Sequence, residues 1–174
     1  MDNTEDADCA YPGVEVLPDG IFVLTTYGHW TAGEPPYIMS VRLKLDELDA
    51  WIRAQVETLP AERRLLVTNH ESFGYFAERY GFTLVGAVVP SVSSSASPTA
   101  QDLAQLIDQI RQSGAPAVFL ESGSNPELAE QVAAETGAQV VEGLLTHSFG
   151  PGAEDYIAMM KWNVSLIVEA LESN

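Results

Sequence analysis

The sequence predicts a three-layer α/β fold, a four-stranded parallel sheet with helices on both faces, and three observations carry that reading. Four short apolar runs, 64–68, 82–89, 117–120 and 139–145, alternate with segments of helical period. The runs are continuously apolar rather than alternating, as strands covered on both faces are. Glycines stand where the intervening helices should stop, at Gly81, Gly114 and Gly137, because a left-handed residue commonly ends a helix.

Taken in order, residues 1–20 are acidic and carry Pro12, Gly13, Pro18 and Gly20, which reads as a flexible lead-in, with 21–25 (IFVLT) as a short strand. The stretch 27–39, YGHWTAGEPPYIM, sets Gly28, Gly33, Pro35 and Pro36 among aromatics and suits neither a helix nor a central strand. From Val41 the period turns helical through Leu45, Leu48, Ile52 and Val56, and Leu59-Pro60 closes it. The domain reading is an irregular lead-in over 1–40, a helix over 41–60 and an α/β lobe over 61–174. Within that lobe, Arg64–Thr68 is the first strand, and Asn69, His70, Glu71 and Ser72 open a helix carrying Phe73 and Phe76. After the second strand, 90–97 is a serine-rich crossover loop; Ser97 caps the next helix with Pro98 in its first turn, and Leu103, Leu106, Ile107 and Ile110 form its buried stripe. Asn125-Pro126 starts a helix with Leu128, Val132 and Ala133, and the last helix, from Asp155, buries Met160, Val164, Ile167, Val168 and Leu171.

Composition narrows the function. The 174 residues suffice for a real core, and 25 acids against 8 bases give a net charge of -17, which disfavours nucleic acid and anionic membranes and attracts cations. One cysteine, Cys9, makes no internal disulfide and no cysteine-type zinc site. No run is long and apolar enough for a membrane span, and the acidic start does not read as a signal peptide.

All strands of a parallel sheet point to one edge, where open α/β sheets hold their ligands. His70 follows the first strand of the lobe, Glu121 the third and His147 the fourth. Histidine and carboxylate are the donor set for zinc or manganese, one imidazole nitrogen binding while the other is held by an acceptor; Glu121 either binds or orients the ligands. Other polar groups have plainer readings. Glu71 answers the dipole of the helix it opens, Asp155 caps the last helix, and Tyr156, Met159 and Met160 are core. His29, beside Trp30, is a loop histidine. There is no glycine-rich phosphate fingerprint and no nucleophile elbow, and Cys9 has no strand-end position. Besides metal binding, the same edge allows an enzyme using a histidine base or catalytic zinc, or an interaction module that forms a homodimer through an exposed face.

The blocks VTNHESFGYFAERYGF, SPTAQDLAQLIDQIRQSG, VFLESGSNPELAEQVAAETGAQVV, LLTHSFG and DYIAMMKWN, in that order, resemble the carboxyl-terminal lobe of the cluster A-I solute-binding proteins, the receptors of zinc and manganese ABC importers. The likeness implies a metal held between two lobes by four ligands, two from each. His70 and His147 fall on the ligand positions of the carboxyl lobe, with a histidine at 147 where aspartate is more usual. It also implies a membrane permease as partner and a place in the periplasm or at the cell surface. The amino lobe is expected to be missing or reduced, since Gly33-Glu34-Pro35-Pro36-Tyr37 has proline where that lobe's histidine motif would place its ligand. His29 then stands in for a histidine-rich loop.

Overall fold

The computed structural model describes residues 13–28, 37–89, 98–146 and 148–173. The chain divides into two compact units, Met1–Ala50 and Trp51–Asn174. In the first, β1 (Gly13–Val16), β2 (Phe22–Gly28) and β3 (Tyr37–Leu43) form an antiparallel sheet in the order β1-β2-β3. The flexible lead-in is therefore corrected from residue 13 onward. Asp19-Gly20 supplies a hairpin turn in which Gly20 has φ 81°, the Gly20 N–H donates to the Leu17 carbonyl and Asp19 Oδ1 accepts from the Ile21 N–H. Tyr27 and Gly28 belong to β2, and 37–43 is extended rather than irregular or helical, because pairing along β2 outweighs local preference. Helix α1 (Leu45–Val56) starts four residues later than its periodicity suggests.

The second unit alternates strand and helix: β4 (Leu65–Thr68), α2 (Gly74–Tyr80), β5 (Thr83–Ala87), α3 (Ala100–Ser113), β6 (Ala117–Glu121), α4 (Glu127–Thr136), β7 (Gln139–Leu144) and α5 (Tyr156–Glu172). The strands pair in parallel in the order β5-β4-β6-β7, so β4 and β6 are central, and all five residues of β6 are buried. Alternation along each strand divides the core. Val67 of β4 and Val118 and Leu120 of β6 pack with Leu103, Leu106 and Ile110 of α3 and Ala129 and Val132 of α4 on one face. Helix α5 packs on β6 and β7, burying Val164, Ile167, Val168 and Leu171. Met160 is only half-buried.

Besides α1, two helix starts differ from the sequence reading. α2 begins at Gly74, so Glu71 lies outside it, and α3 is capped by Thr99 with Pro98 ahead of the cap. Thr99 Oγ1 accepts from the Asp102 N–H while Asp102 Oδ2 accepts from the Thr99 N–H and hydroxyl; these bonds hold the Asp102 carboxyl below its usual range. Three helices end on left-handed glycines, Gly81, Gly114 and Gly137.

Gly86 in β5 is required by close approach. A Cβ there would lie 2.6 Å from Leu106 Cδ1 and 3.1 Å from Gln109 Oε1. Leu106 is buried in the core and has little room to yield. Gly86→Ala should therefore destabilise the chain by about 1–3 kcal/mol in urea unfolding. An unchanged midpoint would show that α3 shifts freely away from β5.

Candidate metal centre

The candidate site begins with the turn that follows β4. The Thr68 hydroxyl donates to the His70 carbonyl at 2.6 Å, and the Ser72 N–H donates to the same oxygen at 2.8 Å. The Val88 and Val89 N–H groups donate to the Thr68 and Asn69 carbonyls, carrying the contact with the β5 segment past the end of β4. This turn uses the polar groups that would otherwise have started α2 sooner, and it presents the imidazole of His70, 22% exposed, at the carboxyl edge of the sheet.

Glu121 comes to it from β6. Its side chain is 6% exposed, and Oε2 lies 2.8 Å from His70 Nδ1. The Ser72 hydroxyl donates to the other carboxylate oxygen, Oε1, at 3.0 Å. A carboxylate so enclosed is costly unless both oxygens are matched, and here both are. The backbone then turns sharply: the Ser124 N–H donates to the Glu121 carbonyl across Gly123, whose φ of 83° favours glycine. Ser124 Oγ in turn accepts from Asn69 Nδ2, which also lies 3.3 Å from His70 Nε2. With Nδ1–H donating to Glu121, Nε2 is the acceptor of the ring, and the Asn69 amide nitrogen lies at nearly the same distance from both ring nitrogens, 3.5 and 3.3 Å. A cleft of about 280 Å3 opens beside it, lined by Asn69, His70, Val88, Val89, Ser124 and Leu128 among others.

The structure thus joins two of the residues singled out from the sequence, His70 and Glu121. His29 and His147 lie outside the described residues. The chain on either side of position 147 is described: Glu121 pairs with Leu144, and the Ser122 N–H donates to the Leu144 carbonyl at 2.7 Å, so β7 leaves the sheet beside Glu121. Glu71 is not brought to the site; it is exposed and lines a separate cleft with Asp102 and Gln105. Asp155 caps α5 as expected, with Oδ1 accepting from the Ala158 N–H. Tyr156 is 43% exposed rather than core. Among the described residues no three His, Cys, Asp or Glu side chains gather as a metal cluster. Sequence reasoning missed Asn69 and Ser72 as partners of the site, having read them as helix-start residues; the signal available was an unbroken Asn-His-Glu-Ser turn at a strand end.

Comparison with known proteins adds an independent line. The profile of the family described as ZnuA, zinc-uptake complex component A, periplasmic, matches residues 39–170. The manganese-binding lipoprotein MntA of Halalkalibacterium halodurans is 35% identical over 161 residues, 91% of this chain and 50% of its own length. The zinc-binding protein TroA of Treponema pallidum is 37% identical over 136 residues, 74% of this chain and 44% of its own. Among solved structures, the periplasmic zinc-binding protein TroA superposes with a TM-score of 0.63 at 35% identity, covering 73% of this chain and 48% of that one. A manganese-bound mutant of the periplasmic metal-binding protein of Candidatus Liberibacter asiaticus superposes at 0.66 with 26% identity, covering 74% and 48%. The chain spans about half the length of the curated relatives it matches.

The contact between His70 and Glu121 makes a spectroscopic prediction. Two-bond 15N–1H correlation of the metal-free protein should find neutral His70 protonated at Nδ1, and Glu121→Ala should raise the share of the Nε2–H tautomer. A wild-type ring protonated at Nε2 would rule out the carboxylate as the group that orients it.

Proposed function

Because the chain belongs to the ZnuA family of zinc-uptake components, we propose that it binds a divalent cation, zinc or manganese, as cargo at the carboxyl edge of its parallel sheet. The observation that carries this is the carboxylate–imidazole pair of Glu121 and His70 at that edge, 2.8 Å apart. His70 coordinates through Nε2 while Glu121 fixes the ring. His147, from the β7–α5 connection, is the second ligand, and Glu121 is a supporting group rather than a third ligand. Residues 61–174 are the metal-handling lobe in this reading.

The relatives are named as zinc- and manganese-binding proteins and as substrate-binding lipoproteins of manganese ABC transporters. The family is one of binding components, not enzymes. By extension, this chain serves a metal importer, its partner is the membrane permease and its place is outside the cytoplasmic membrane. A net charge of -17 suits that role, since it raises the local concentration of cations near the surface.

Two imidazole donors favour zinc over manganese, both from ligand softness and from the ordinary order of divalent affinities. Zinc at about a hundred times its dissociation constant should stabilise the folded chain by about 2.7 kcal/mol, and manganese at equal concentration by less. Differential scanning calorimetry of wild type and His70→Ala checks both statements. Identical melting curves for the two proteins in saturating zinc would remove His70 from the site.

A further inference from the structure

Among the described residues, strand β7 is at the edge of its sheet, with β6 as its strand neighbour. Helix α5 ties down its exit with two consecutive side chains. Trp162 Nε1–H donates to the Gly143 carbonyl at 2.9 Å. Asn163 Nδ2–H donates to the Leu145 carbonyl at 2.8 Å, and Asn163 Oδ1 accepts from the Leu145 N–H at 2.8 Å. Asn163 is 3% exposed and stands beside Val164 in the apolar stripe of α5. An amide buried there is costly unless satisfied, and an aliphatic side chain would carry no such risk. Both its bonds go to Leu145, the first residue beyond β7. The next side chain gives no anchorage of its own, because Thr146 Oγ1 is buried and makes no hydrogen bond among the described residues.

We propose that Trp162 and Asn163 are positioning residues for metal binding: by clamping Gly143 and Leu145 they set the course on which the chain leaves β7, two residues before the proposed ligand His147. The inference rests on the assignment of His70 and His147 as ligands. Asn163 fixes both backbone groups of Leu145, two positions before 147, so loss of the clamp should lower metal affinity as well as stability.

The test uses the full chain, with zinc calorimetry and cobalt(II) absorption at a temperature where circular dichroism shows every variant folded. Asn163→Leu should weaken zinc binding by about 10–100-fold, the usual cost of losing a group that orients a ligand, and shift the cobalt d–d bands. In a His147→Ala background it should cause no further weakening. Trp162→Phe, which removes only the bond to the Gly143 carbonyl, should fall between wild type and Asn163→Leu, and it carries the test if Asn163→Leu does not fold. If Asn163→Leu lowers the melting temperature but keeps wild-type affinity and cobalt bands, while His147→Ala binds weakly, the clamp is only structural and the proposal is overturned. If His147→Ala binds zinc like wild type, the ligand assignment itself fails, and this inference with it.

Discussion

Glu121 ends a strand whose five side chains are all buried, and the turn at the candidate site is arranged around its carboxylate. Taking such a group out of water costs several kcal/mol unless charge and hydrogen bonds replace the hydration. His70 matches one oxygen and Ser72 the other, and both belong to one turn on a different strand. The buried acid therefore does two things at once. It holds the β4–α2 turn against β6, and it fixes the orientation of the one described imidazole at the carboxyl edge.

Strand order makes that contact available. In the order β5-β4-β6-β7, the strand bearing Glu121 lies between the strand that precedes His70 and the strand that leads to position 147. A parallel sheet cannot join neighbouring strands by tight turns, so each crossover passes through a helix and each strand delivers a new polar turn to the same edge. Two turns from distant parts of the chain meet there, Ser72 donating to Glu121 across 49 residues of sequence.

The edge strand β7 has a different problem. Among the described residues it has a strand on one side, and α5 restrains its exit through Trp162 and Asn163. A buried amide making two bonds to one residue gives orientation that hydrophobic packing does not, because apolar contact has no directional preference. Binding a small cation demands that kind of orientation, since donor distances are held within a few tenths of an ångström.

The alternation of strand and helix over 61–174, the glycine stops, the cap at Asp155 and the concentration of His70 and Glu121 at one edge were legible in the sequence. Each follows from burial period or from the backbone preferences of single residues, which are local properties. The antiparallel sheet of the first unit was less legible. Proline and glycine read as breaks there, although Asp19-Gly20 was a hairpin signal, and pairing along β2 decided the extended course of 37–43. The start of α2 was also decided from outside, since the Asn69–Ser72 turn spends its polar groups on β6 and on its own backbone rather than on the helix. Which nitrogen of His70 meets Glu121, and that Asn163 holds Leu145, depend on contacts between elements far apart in the chain. Such contacts come from strand order and helix packing, and no periodicity within a single segment encodes them.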